Sequence, residues 1–275
     1  MSITSSGSVG AVSAGGVVGN VSTWSANVKE TAHSVVTSAT KKGTVVISGT
    51  SDWDGSFSAY GVAPPAIPGS RVEFSGYTGA DGEDTGGSIS GPVIIASAST
   101  TVNIGTGEPI KWDVAFSGNG KPTLGSTPVS DSSAPVMISA ARATVKIDGT
   151  ATTLNVSQIA LTLTCAISGG TATSNSEGWL KRFGGPTSAT AAITVNDASI
   201  GAGLQIGADI ELEIDLVGGG SLIMKYVHIT DFSGVSVDNS SAEPITFTVN
   251  GTWNCYDGEA FGAMTMGGSS VWSAT

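Results

Sequence analysis

The chain has 275 residues, enough for one large domain or two of roughly 100–150 residues each. Only 12% are charged, with 22 acids against 11 bases, which argues against a protein that grips nucleic-acid phosphates through Lys and Arg. Gly, Ser, Thr, Ala and Val dominate, and short β-branched runs broken by Gly, Ser and Asn predict an all-β fold.

The opening MSITSSGSVG has neither a basic nor an apolar signal-like region, and the first Lys is Lys29. No apolar run reaches the ~20 residues of a membrane-spanning helix. The expectation is a soluble chain made in a cytoplasm, without Sec export or a membrane partner.

In chain order, the pattern predicts an opening hairpin over Val17–Val28 and a variable segment over His33–Gly49 that ends in TKKGTVVISG. Two strands joined by a Gly-containing loop follow over Trp53–Tyr77, then strands at Pro92–Ile104 and Ile110–Phe116. The stretch Gly118–Ala134 is rich in Gly, Pro and Ser and reads as a linker. The order then starts again: a hairpin over Leu154–Ile167, two strands within Ala189–Val217, and strands at Leu222–Val237 and Ile245–Trp253. Between the first two of these, SNSEGWLKRFGG predicts a short helix capped by Ser176 and stopped by Gly184.

The repetition extends to the residues. NVSTWSANV from Asn20 aligns with NVSQIALTL from Asn155 (155 − 20 = 135), and Glu108-Pro109-Ile110 aligns with Glu243-Pro244-Ile245 (243 − 108 = 135). Between these anchors, Trp53, Gly55, Phe57 and Ala59 alternate as do Ala189, Ala191, Ile193 and Val195, and PGSRVEFSGY answers IGADIELEID. A shared register at two distant anchors predicts a duplication: one module in residues 1–130 and a second in 131–275, each a small β-sandwich or barrel.

Signs of chemistry are sparse. There is no G-x-S-x-G, H-E-x-x-H or C-x-x-C, and the glycine stretches Gly79–Gly87 and Leu216–Ser221 lack the Gly-Lys-Ser/Thr of a phosphate loop. His33 and His228 read as surface or interface residues, and Cys165 and Cys255 as isolated thiols. Asp52, Asp54, Asp81, Glu83 and Asp84 could offer oxygens to Ca²⁺, but their spacing also suits solvated turns, and no metal and no cofactor are expected. The sequons at Asn20, Asn155, Asn239 and Asn250 would matter only in a secreted eukaryotic chain. No enzymatic activity is expected.

The hairpin GVVGNVSTWSANV from Gly16, followed by a Thr-rich loop and the strand DWDGSFSAY at Asp52–Tyr60, resembles the opening of the major tail tube proteins of long-tailed phages. The glycines at Pro68-Gly69 and Gly207, each ahead of a strand, continue the pattern. The first copy carries it best; the second has Ile159 and Ala189 in place of the two tryptophans. The resemblance implies sandwich modules of the tail tube type whose copies form rings, three two-module chains imitating a hexamer. Stacked rings would make a hollow conduit for DNA in a virion tail assembled in the host cytoplasm. Its partners would be further copies of itself and the tail tip, tape measure and tail terminator proteins.

An acidic lumen would let DNA pass without sticking. Candidates for it are Glu73, Asp209, Glu211, Glu213 and Asp215, which could equally solvate an outer wall. Candidates for the ring-to-ring contact are Lys41, Lys42, Val45 and Val46 in the first copy and Trp179, Leu180, Lys181, Arg182 and Phe183 in the second. The rivals are a tandem carbohydrate-binding or adhesive module, a capsid decoration protein and a β-sandwich glycosidase. A carbohydrate binder would gather Trp and Tyr on one exposed face, whereas the positions of Trp24, Trp53 and Trp112 suggest a core.

Overall fold

Alternation at every second position decides which face of a strand turns inward. The computed structural model describes residues 2–4, 11–40, 43–79, 86–127, 129, 137–196, 204–217, 220–234, 246–253, 264–266 and 269–272. Its first half supplies β1 (Ser2–Thr4), β2 (Ala11–Ala14), β3 (Val17–Val18), β4 (Val21–Val35), β5 (Val45–Tyr60), β6 (Arg71–Tyr77), β7 (Ser88–Asn103), β8 (Lys111–Gly118) and β9 (Thr123–Gly125). The second half supplies β10 (Thr144–Ile147), β11 (Thr150–Ala151), β12 (Val156–Ala172), β13 (Leu180–Asn196), β14 (Asp209–Leu216), β15 (Gly220–Ser233), β16 (Thr246–Trp253), β17 (Met264–Met266) and β18 (Ser269–Trp272). The fold is all-β, and these strands are hydrogen-bonded into one antiparallel sheet.

Neighbours in the first half run β4-β5-β8-β7-β6-β2-β3. The same order returns in the second as β12-β13-β16-β15-β14-β10-β11. Irregularities in the ladders return with it: Val21/Thr23 in β4 matches Val156/Gln158 in β12, and Ile95/Ser97 in β7 matches Ile229/Asp231 in β15. The hydrogen bond from Tyr60 N–H to Asn20 O recurs from Asn196 N–H to Asn155 O. That from Gly69 N–H to Ile95 O recurs from Gly207 N–H to Ile229 O. Gly69 and Gly207 have φ of 88° and 86°, a backbone region that glycine enters without steric cost.

Strand β7 joins the two halves. Its first half runs beside β6, and Ser97–Asn103 then runs beside Thr164–Gln158 of β12. At this seam Ala98, Thr100 and Val102 face the core opposite Leu163, Leu161 and Ile159, all buried.

The first-half sheet curls over its core. Strands β4 and β6 lie far apart in the pairing order, yet the rings of Trp24 and Phe74 are 6.3 Å apart. Phe74 also meets Trp53, Phe57 and Phe116, at 6.2, 6.2 and 4.3 Å between centroids. Burying an indole requires an acceptor for its N–H. Trp24, Trp53 and Trp112 find theirs in the carbonyls of Tyr77, Gly120 and Val62. The second half fills the matching space mostly with aliphatics, among them Leu161, Ile193, Leu212, Ile214, Leu222 and Val249, beside the buried ring of Phe247.

Three local expectations need correction. The hairpin expected over Val17–Val28 is two separate features: β3 turns back on β2, while β4 runs on to Val35 and pairs with β5. The polar run after Val28 hides this continuation, because neither face of it is buried and alternation carries no signal there. His33 accordingly lies in a strand, opposite Ile47. The short helix expected in SNSEGWLKRFGG is instead a 3-10 turn at Ser174–Ser176, after which Leu180–Gly184 belongs to β13. Left-handed Glu177 and Gly178 (φ 50° and 83°) end the turn before a second helical turn can form. The expected module boundary at 130/131 lies outside the described residues, and the linker expected from Gly118 starts on the last residue of β8 and contains β9, paired to Ser88–Ser90.

Candidate assembly surfaces

Two long hairpins extend beyond the packed core. In the first, Ala32–Val35 of β4 pairs with Ser48–Val45 of β5. It carries Val36, Val46 and Ile47 at 65%, 63% and 51% exposure, with Val35 and Val45 also exposed. Apolar side chains grouped on a surface mark contact sites more often than single ones do. Of the candidates here, Val45 and Val46 are displayed to solvent, while Lys41 and Lys42 lie outside the described residues. Val35, Val36 and Ile47 were not among the candidates; the adjacent pair Val35-Val36 and the apolar run Val45–Ile47 in TKKGTVVISG were their available signals.

The second hairpin, from the outer parts of β12 and β13, leans on the first half of the chain. Its turn is closed by Ser176, whose hydroxyl donates to Thr173 O and accepts from Thr173 N–H. Ser51 N–H then donates to Gly178 O at 2.9 Å, and a parallel bridge joins Ser51 to Trp179. Arg182 reaches from β13 to Asp52 on β5 with two bonds of 2.6 Å, and to Gly118 O at 2.7 Å. Its backbone N–H donates to Asn119 Oδ1 at 2.8 Å. Both charged side chains are only 15% exposed. Burial would raise the Asp52 carboxyl, but hydrogen bonds and charge from Arg182 outweigh it and hold the group below the usual carboxylate range. Outside this pair, Lys121 Nζ donates to Glu177 at 2.7 Å.

The second set of candidates is therefore divided. Trp179 packs against the core, Leu180 is half-buried, and Arg182 is held by Asp52. Lys181 is exposed and reaches Asn119 O, while Phe183 is 59% exposed with the Arg71 guanidinium 5.4 Å from its ring centre.

The acidic candidates share matched strands. In β14, Ile210, Leu212, Ile214 and Leu216 are buried, so Asp209, Glu211, Glu213 and Asp215 take the other face. Glu73 has the corresponding place on β6 and is exposed: Gly15 N–H donates to Glu73 O, as Asp148 N–H does to Glu211 O. Lys146 on β10 bonds both Glu213 and Asp215, at 3.0 and 3.2 Å, and His228 Nδ1 lies 2.9 Å from Asp209. Part of the acidic face is thus already neutralised locally.

Among the described residues, no three His, Cys, Asp or Glu side chains converge as a metal site would require. Asp52 is engaged by Arg182 and Asp54 by Lys29 at 2.6 Å, while Asp81, Glu83 and Asp84 lie outside the described residues. Cys165 is a buried free thiol. An open cleft of about 340 Å³ is lined by Tyr60, Thr101, Glu108, Pro109, Lys111 and Asp113, with Tyr60 the one aromatic among them. Trp24, Trp53 and Trp112 are at most 2% exposed, so no sugar-stacking platform can be built from them. No family model matches the chain, and no curated protein gives a significant match.

Proposed function

We propose that this chain is the structural subunit of a phage tail tube. Copies join head to tail in rings, and stacked rings form a hollow conduit for DNA. The observation that carries this reading is the β7–β12 seam. It links two runs of strands with the same order through edges that each half possesses in its own version. The matching pair of edges, on β15 and β4, belongs to the two ends of this double unit and suits a heterologous contact between copies. Three chains would then provide six equivalent seams. The exposed apolar hairpin at Val35–Ile47 supports a contact between rings, and the acids of β6 and β14 support a surface that repels phosphate. Tail tip, tape measure and terminator proteins would bind the ends and interior of such a tube.

Negative-stain electron microscopy of the purified protein tests this directly. Hollow tubes or stacked rings with three-fold or pseudo-six-fold end views are the expected result. Isolated chains at every concentration, even with preformed tube ends added as seeds, would refute it. The buried tryptophans weigh against the tandem carbohydrate-binding alternative.

A further inference from the structure

The outer edge of β4 already carries a strand of the same chain: Ser2, Ile3 and Thr4 of β1 pair with Asn27, Ala26 and Ser25. In the second half, the matching edge of β12 is taken by β7 over seven residue pairs, Gln158–Asn103 to Thr164–Ser97. We propose that β1 is a stand-in on β4, displaced during assembly by the β15 edge of a second copy. This deepens the head-to-tail reading above and rests on it.

The internal repeat supplies the register. The irregularity at Ile95/Ser97 in β7 matches that at Ile229/Asp231 in β15, so Ser97 corresponds to Asp231. Thr164 pairs with Ser188 in the second half as Lys29 pairs with Asp52 in the first, so Thr164 corresponds to Lys29. The intramolecular pairs Ser97–Thr164, Ala98–Leu163 and Ser99–Thr162 become Asp231–Lys29, Phe232–Val28 and Ser233–Asn27 between copies.

Each replacement suits an interface. Asp231 and Lys29 are opposite charges directly across a ladder, an arrangement that stabilises a strand pair. Ala98 and Leu163 are fully buried at the seam, whereas Phe232 and Val28 are only partly buried against the core. A neighbouring copy would finish covering them. On β15, Asp231–Ser233 is paired with β16 on one side, and no strand lies on the other side among the described residues.

A tethered stand-in competes at a high local concentration, so assembly must supply contacts beyond the strand pairing itself to displace it. Ser233 would take the place opposite Asn27 that Ser2 now holds, so the two strands exclude one another there and displacement is favourable only when another copy is abundant. Such blocking of an edge also limits unwanted strand pairing.

The test places cysteines at the inferred pair, Lys29→Cys with Asp231→Cys, in a Cys165→Ala, Cys255→Ala background. Opposed antiparallel residues bring Cα atoms within disulfide range. Mild oxidation should give a reducible ladder of linked chains on a non-reducing gel. A control shifted along β4, Asn27→Cys with Asp231→Cys, should link at least about tenfold more slowly. Removing residues 1–10 should lower the concentration at which chains link by about tenfold. Tubes without the ladder would overturn the edge assignment while leaving the tube reading intact. The ladder without tubes would support the assignment and sink the tube reading. Equal linking with and without residues 1–10, both chains folded by circular dichroism, would overturn the stand-in role of β1.

Discussion

Replacing Asp52 with Ala should show how firmly the second hairpin is fixed to the first half of the chain. The substitution removes both 2.6 Å bonds to Arg182 and leaves its guanidinium, 15% exposed, with Gly118 O as the remaining side-chain acceptor. Exposed ion pairs are worth about 0–1 kcal/mol, whereas stripping one partner from a fully buried pair costs about 3–5. This mostly buried pair belongs between those limits, at about 2–3 kcal/mol. For a chain of this size, that lowers Tm by roughly 5–10 °C. Urea denaturation should show the loss as a shifted midpoint with unchanged slope. Adding Arg182→Met to Asp52→Ala should then cost little or nothing more, since the unpaired charge is gone. The pH dependence follows from the sign of the shift. A carboxyl held lower in the folded than in the unfolded chain contributes fully above its unfolded pKa of about 4 and progressively less as pH falls through its folded value. The deficit of Asp52→Ala should accordingly be largest near pH 7 and shrink below pH ~4. A deficit under about 0.5 kcal/mol, or one that is equal at pH 7 and pH 3, would refute this account of the contact.

Other substitutions probe the core, the free hairpin and the acids. Gly118→Ala would place a methyl about 2.2 Å from the Trp53 indole, so it should cost about 1–3 kcal/mol by the same unfolding measurement. Val46→Ser with Ile47→Ser removes exposed apolar surface and should change stability by less than about 0.5 kcal/mol, while microscopy should show rings that no longer stack. Tubes built with Glu73→Lys and Glu211→Lys should retain DNA at 50 mM salt and release most of it by 200 mM. Nuclease protection of that DNA would locate these side chains in the lumen, and digestion would locate them on the outer wall.

Much of the fold was legible because each core strand repeats an apolar residue at every second position. Trp53, Phe57 and Ala59 alternate with exposed or half-buried neighbours and are buried as that pattern requires. The hairpins were less legible, since strands with both faces in solvent leave no period-two trace. Residues Lys29–Val35 and Ala166–Ala172 are held by cross-strand hydrogen bonds that many polar sequences could make. The docking of Arg182 on Asp52 joins residues far apart in the chain, and neither neighbourhood contains a local pattern that names the other. The acids of β14 were visible as a set, but their partial neutralisation by Lys146 depends on β10 lying beside them.

The difference between the two versions of the seam has a physical rationale under the head-to-tail reading. Strands β7 and β12 belong to one chain, so their effective concentration is set by the tether and they meet regardless of how many copies are present. Such a contact needs no charge to choose its partner, and its solvent face is built from Ser97, Ser99, Thr101, Ala160, Thr162 and Thr164. A contact between copies must instead be found by diffusion and must reject wrong registers. A slip of one residue would turn Phe232 and Val28 away from the core and separate Asp231 from Lys29. Opposite charges on the two edges favour encounter and penalise that slip together. Exchanging them, Lys29→Asp with Asp231→Lys, should therefore restore assembly that either change alone abolishes. Failure of the double exchange in a chain that still folds would mean that the two residues do not face one another.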